Sequence, residues 1–209
     1  MEAVSQVNTF SKRRCSTSAL LGETSRKRLR PTVNKFSMAE FVKATYDDLG
    51  LDYDAEAQKA KDQMAKIPVE DMDKLSHAKA FTAARYNDIE TIKSLFAKGE
   101  KLNELRNQFC ESLLHVACRQ GHLQLVKFLV EDAKVSMRVQ DLHGRTPLHN
   151  ACWSLVPNFE LIDLLVRNVP DHLCLEDARG YTPFSYIPES CWTKSMKLLT
   201  ERTADLRKA

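Results

Sequence analysis

The chain has 209 residues, 43% of them hydrophobic and 28% charged, which is ordinary for a globular domain with an extension. No run approaches the roughly 18 consecutive apolar residues of a transmembrane helix, so a membrane span is excluded. The six cysteines show no C-x-x-C spacing and the chain shows no secretory signal, so we expect reduced thiols in the cytosol or nucleus.

The net charge of +3 is unevenly divided along the chain. Of the 31 basic and 28 acidic residues, eight basic and two acidic ones lie in residues 1–36, which therefore carry +6. The other 173 residues carry −3. The basic character belongs to the N-terminal stretch and not to the remainder.

Residues 1–36 are rich in Ser, Thr, Lys and Arg and have few large apolar side chains, so they predict a disordered tail. Within this tail are two basic clusters, Lys12, Arg13, Arg14 and Arg26, Lys27, Arg28, Arg30. Their spacing resembles a bipartite nuclear localisation signal, which an import receptor binds. Two alternatives stay open: an organelle transit peptide, which is also Arg- and Ser-rich, and a basic tail that is merely solvated.

Two helices are predicted between residues 37 and 72. The segment 37–49 has a one-sided apolar stripe and begins with Ser37 followed three residues later by Glu40, the pattern of a capping box. Gly50 ends it. The segment 54–66 is dense in Ala, Lys and Gln and is broken by Ile67-Pro68.

A repeated motif occupies the rest of the chain. The sequence from Gly144 to His149 reads G-R-T-P-L-H, in which the glycine suits a tight turn, the threonine a helix cap and the proline the first helical position. Degraded copies lie 34 and 68 residues earlier and 36 residues later. A period near 33 with T-P-L-H-x-A resembles the ankyrin-repeat family over roughly 130 residues.

The resemblance implies an all-α solenoid of about four helix pairs joined by hairpin turns. Its repeats are expected at about 73–106, 107–140, 141–176 and 177–205. Asn87 stands where the first helix of a repeat normally ends in glycine, and tolerates the left-handed conformation. Cys110 replaces a hairpin glycine, which predicts a less regular tip. Pro188 argues against a full first helix in the fourth repeat, and residues 193–201 predict a closing helix.

The helices within 37–72 allow two interpretations. Solenoid ends need a polar-faced cap, so the favoured one is that both helices cover the first repeat. The alternative is that the segment 37–49 is an independent docking helix.

Two pairs of possible zinc ligands each lie three residues apart on one helix face: His115 with Cys118, and His149 with Cys152. The motif histidine normally bonds within the turn framework, and a cysteine there is a compact core residue, so we predict no metal and no cofactor. No phosphate loop, carboxylate pair or dinucleotide fingerprint is present either, so we predict that the chain is not an enzyme.

In the ankyrin family, partners bind a concave face made of hairpin tips and the exposed side of each first helix. Carried onto this chain, the face comprises Arg85, Tyr86, Gln108, Phe109, Glu111, Arg119, Gln120, Leu142, His143, Arg145, Trp153, Ser154, Arg179 and Tyr181. Aromatic residues and arginine dominate interface hot spots. We therefore expect Tyr86, Phe109 and Trp153 to anchor a partner, with Arg119 beside Trp153 on the neighbouring helix.

Two functions are carried forward. The first is a non-enzymatic adaptor that binds another protein in its groove, located in the nucleus or cytoplasm. The second is a nucleic-acid-associated protein whose basic tail binds phosphates while the repeats recruit a protein. The net negative charge of the repeats and the absence of a DNA- or RNA-binding motif favour the adaptor.

Overall fold

The computed structural model describes residues 37–65, 74–154 and 156–207. The basic stretch 1–36, whose disorder was predicted, and the predicted break at Ile67-Pro68 lie outside these residues. Within them the secondary structure is helical and no strand is present, which confirms the all-α fold. No helix in this part of the chain combines the length and the apolar character needed to cross a membrane.

Three helix pairs stack in chain order. They are α3 (Lys74–Tyr86) with α4 (Ile89–Ala97), α5 (Leu113–Gln120) with α6 (Leu123–Lys127), and α7 (Pro147–Cys152) with α8 (Phe159–Asn168). A π-helical turn, Phe128–Asp132, extends α6. The first helices α3, α5 and α7 pack side by side, and leucines such as Leu114 and Leu148 are fully buried between them. These three helices carry exposed side chains of the predicted concave face.

In the first two pairs, a single left-handed residue lies between the two helices. Asn87 has φ 59° after α3, as the sequence predicts, and Gly121 has φ 76° after α5. Between α7 and α8 the chain instead makes a longer turn, in which Val156 is 86% exposed and Pro157 is buried. The second helices then bury apolar stripes, while Phe96 near the end of α4 is 41% exposed.

The hairpin that precedes α5 is regular, so the prediction of a distorted tip at Cys110 is wrong. Cys110 takes the left-handed conformation itself, with φ 57°, and its N–H donates to the carbonyl of Asn107 at 2.9 Å. Gly144 and Gly180 make the same bond to Asp141 and Asp177 in the next two hairpins. A left-handed cysteine is strained but costs only about a kilocalorie per mole, which the surrounding turn accommodates.

The fourth repeat lacks a full first helix, as Pro188 predicts. Two 3₁₀ turns, Pro183–Tyr186 and Glu189–Cys191, replace it. The closing helix α9 (Trp192–Glu201) follows, and α10 (Thr203–Leu206) ends the described chain. The first of these two 3₁₀ turns packs on α7 of the third repeat.

Helices α1 (Met38–Asp48) and α2 (Tyr53–Asp62) form where the sequence predicts them. The N–H of Ser37 donates to Glu40 at 2.7 Å, and the N–H of Glu40 donates to the Ser37 hydroxyl at 3.2 Å, so the predicted capping box is present. Met38, Val42 and Tyr46 form the buried stripe of α1.

The favoured interpretation that α1 and α2 cover the first repeat is wrong. Helix α1 packs on α9 and the turn Pro183–Tyr186, and α2 packs on a 3₁₀ turn, Pro170–Cys174, at the other end of the solenoid. The Tyr46 hydroxyl donates to the carbonyl of Pro170 at 3.2 Å. Amphipathic periodicity predicts that a face is buried but does not specify its partner, which explains the error. On the first repeat, Lys79 and Thr82 of α3 are exposed.

Candidate partner-binding surface

Three hairpin tips stand in register along one edge of the concave face. The N–H of Leu142 donates to the carbonyl of Phe109 at 3.0 Å, and the N–H of Ala178 donates to the carbonyl of His143 at 2.8 Å. Gly144 has φ 71°, and a Cβ there would lie 3.3 Å from the nitrogen of Ala178. A side chain at Gly144 would therefore combine a strained backbone with a tight contact to the next hairpin, which favours glycine at this position.

A side-chain oxygen at the base of each hairpin fixes its shape. Asp141 Oδ1 accepts hydrogen bonds from the N–H groups of His143 and Arg145 at 2.8 and 2.9 Å. Asn107 and Asp177 make the equivalent bonds in the neighbouring hairpins. These Asx turns hold the exposed tip residues on a defined backbone.

The two motif histidines tie each first helix to the following hairpin. Nδ1 of His115 accepts the N–H of Ser112 at 3.1 Å, so its Nε2 carries the proton and donates to the carbonyl of Arg145 at 2.9 Å. His149 repeats this pattern, with its Nε2 3.1 Å from the carbonyl of Tyr181. Burial lowers the pKa of both imidazoles to about 4 despite the carbonyl bond, so both rings are neutral at pH 7.

This hydrogen bonding leaves neither histidine a nitrogen for a metal. The partner cysteines, Cys118 and Cys152, are buried, and burial raises the pKa of each thiol well above its ordinary value. Such thiols are protonated and unreactive at neutral pH. Across the described residues, no group of three or more His, Cys, Asp or Glu side chains is placed to hold a metal ion.

Two predicted surface residues, Glu111 and Arg119, form an ion pair within the chain. The guanidinium of Arg119 donates to both carboxylate oxygens of Glu111, and the side-chain amide of Asn107 donates to the same carboxylate at 2.7 Å. Burial opposes ionisation of Glu111, but these hydrogen bonds prevail and hold its pKa below the usual value. Glu111 was predicted to be free for a partner; it is instead buried, with 5% of its surface exposed.

The equivalent positions 34 residues later hold Arg145 and Trp153. The Arg145 guanidinium lies over the Trp153 ring at 4.5 Å from the ring centroid, and 3.7 Å separates its Nε from Asp177. Tyr186 stacks on Trp153 with 4.6 Å between centroids, and its hydroxyl donates to Asp177. Trp153 therefore packs against the fourth repeat, which corrects the prediction that its ring plays no part in repeat packing.

Tyr186 is the surface residue that the sequence analysis missed. It lies in the shortened first helix of the fourth repeat, where the sequence no longer follows the repeat pattern. Its place on the surface could therefore not be assigned by alignment with the other repeats. Burial, and then its hydrogen bond to Asp177, raises the pKa of its phenol above the ordinary value. Tyr186 fills the space beside Trp153 and closes this end of the concave face.

The fourteen predicted surface residues divide by exposure. Exposed side chains are Arg85, Tyr86, Gln108, Phe109, Gln120, Leu142, His143 and Arg179. Intermediate ones are Arg119, Arg145, Trp153, Ser154 and Tyr181. The accessible part of the surface therefore consists mainly of the hairpin tips and the end of α3.

The helix pairs, hairpins and capping histidines match a known family model. The model described as ankyrin repeats, in three copies, matches residues 80–173. The chain therefore contains ankyrin repeats over these residues. Such repeats generally mediate protein–protein interactions, and the family is generally non-enzymatic.

Several curated proteins are similar to this ankyrin-repeat chain. It is 31% identical over 103 residues to a probable 26S proteasome regulatory subunit p28 of Saccharomyces cerevisiae, over 48% of this chain and 43% of that protein. It is 34% identical to human Rabankyrin-5 over 47% of this chain and 8% of the relative. A putative glutaminase 2 of Caenorhabditis elegans is 39% identical, over 34% of this chain and 12% of the glutaminase. The chain thus covers less than half of each of these relatives.

Proposed function

We propose that this protein is a non-enzymatic adaptor whose concave surface binds a segment of another protein. The supporting observation is the pair Phe109 and Leu142, which lie on adjacent hairpin tips and are 49% and 62% exposed. Large apolar side chains that are adjacent, exposed and held by a rigid backbone are typical of interaction sites.

Comparative affinity purification tests the adaptor role. The full chain is compared with a Phe109→Ala/Leu142→Ala variant, which should fold normally because both side chains are exposed. Phe96→Ala, which removes an exposed ring from the outer helix α4, is the control. Partners that bind the concave surface should be lost from the double variant and retained by the control. If every partner survives in the double variant, this surface does not bind them.

We also propose that the basic stretch 1–36 directs the protein to the nucleus by binding an import receptor. Support comes from the sequence alone, in the two clusters that resemble a bipartite signal. In a fluorescent fusion, replacing Arg26, Lys27, Arg28 and Arg30 with alanine should move the protein to the cytoplasm. Lys61→Ala on α2 is the control. An unchanged nuclear signal, or a mitochondrial one before substitution, would contradict the import role.

A further inference from the structure

The carboxylates that line the concave surface are used within the chain. Glu111 is paired with Arg119, and Asp177 accepts hydrogen bonds from Tyr186 and from two backbone N–H groups. Asp141 is 7% exposed and accepts two backbone N–H groups. None of these three carboxylates is therefore left facing outward to attract a basic partner.

Two arginines of the same surface are placed differently. Arg85 at the end of α3 and Arg179 at the tip of the last hairpin are both exposed. Neither takes part in an ion pair among the described residues. The surface therefore presents positive charge that the chain does not neutralise, although residues 37–209 carry −3 overall.

The apolar pair lies on the same row of tips as Arg179. Leu142 is bonded through its backbone to Phe109 on one side, and its neighbour His143 is bonded to Ala178, the residue before Arg179, on the other. Adjacent repeats stack about 10 Å apart, as packed helices do. An extended peptide of a few residues is long enough to contact both the apolar pair and Arg179.

We propose that the occupant of this surface is an acidic peptide segment carrying a large apolar side chain. The apolar side chain covers Phe109 and Leu142, and flanking Asp or Glu side chains pair with Arg179 and Arg85. This inference rests on the proposed adaptor function and specifies the chemistry of its partner. Charge complementarity of this kind steers association and selects against basic partners.

Charge also argues against other occupants. The chain's own stretch 1–36 carries +6, so the exposed arginines would repel it. A nucleic acid would supply acidic groups, but Leu142 offers an aliphatic side chain where base stacking requires an aromatic or guanidinium plane. A peptide satisfies both the apolar pair and the arginines.

Selection from a phage library of random 12-residue peptides against the purified full chain tests this proposal. The enriched pool should contain more Asp and Glu and less Lys and Arg than the starting library, with a Leu, Ile, Met or Phe recurring near the acidic residues. The most enriched peptide, fluorescently labelled, is then titrated by anisotropy. Arg85→Glu/Arg179→Glu should weaken binding about tenfold or more, because attraction becomes repulsion. Lys98→Glu/Arg207→Glu makes the same change of net charge elsewhere and should have little effect.

The outcomes separate this inference from the adaptor function. If the selected peptides are neutral or basic but lose binding in the Leu142→Ala variant, the concave surface binds peptides and the acidic partner is refuted. If peptide binding depends on neither Leu142 nor the two arginines, both proposals fail. A single-stranded 12-nucleotide DNA is titrated as well. Tight binding of this DNA that the arginine reversals abolish would overturn the peptide class.

Discussion

Acidification from pH 7 to pH 5 should destabilise this protein strongly, because three histidines are buried in neutral form. Burial lowers the pKa of His115 and His149 to about 4 and that of His172 to about 3, from an ordinary 6.5. At pH 5 the unfolded chain therefore binds nearly three more protons at these histidines than the folded chain does. A folded pKa below the unfolded value means that stability is fully present above about pH 6.5 and falls with pH from there.

The size of the loss follows from these pKa values. Each histidine loses nearly 2 kcal/mol of folding free energy between pH 7 and pH 5, so three together lose about 5 kcal/mol. That is comparable with the whole stability of many domains. The carboxylates Glu111 and Asp177 have lowered pKa values, so their contributions disappear only at lower pH, below their ordinary values near 4.

Urea denaturation followed by far-ultraviolet circular dichroism at pH 7, 6 and 5 measures this loss. His172→Leu provides the internal comparison, because neither ring nitrogen of this buried residue has a hydrogen-bond partner among the described residues. The variant should retain its stability at pH 7 and lose about one third less between pH 7 and pH 5 than the parent. A free energy of unfolding that is flat across this range, or an unchanged loss in His172→Leu, would refute the reasoning.

Three further substitutions test the packing by the same denaturation assay at pH 7. Arg119→Ala should cost about 1–3 kcal/mol, because it leaves the buried Glu111 without its cationic partner; an unchanged midpoint would mean that the pair contributes nothing. Leu148→Ala should cost about 2–5 kcal/mol through the cavity left between stacked helices, and a smaller loss would argue against the repeat register. Cys110→Gly should stabilise by about 0.5–1 kcal/mol, since glycine adopts the left-handed conformation without strain; destabilisation would show that the cysteine side chain is needed.

Local structure could be predicted from the sequence at positions where the residue type itself determines the backbone conformation, as at a helix cap, a left-handed turn or a proline. The capping box of Ser37, the left-handed Asn87 and the missing helix before Pro188 all follow from short-range chemistry. The partner of Trp153 was not predictable. Its ring is covered by Tyr186, which reaches it only because the first helix of the fourth repeat is shortened. Repeat equivalence places Arg119 at the corresponding position of the neighbouring helix, but it does not reveal that the guanidinium pairs with Glu111.

The position of α1 has a consequence for how the chain folds. Repeat proteins normally fold through contacts between neighbours, and such local contacts favour rapid folding. The hydrogen bond from Tyr46 to Pro170 instead joins residues 124 positions apart. During synthesis, α1 leaves the ribosome before its binding surface on α9 has been made. The first helix of the described chain therefore completes its packing only after the last repeat has formed, so the folding of this N-terminal helix depends on the C-terminal end of the solenoid.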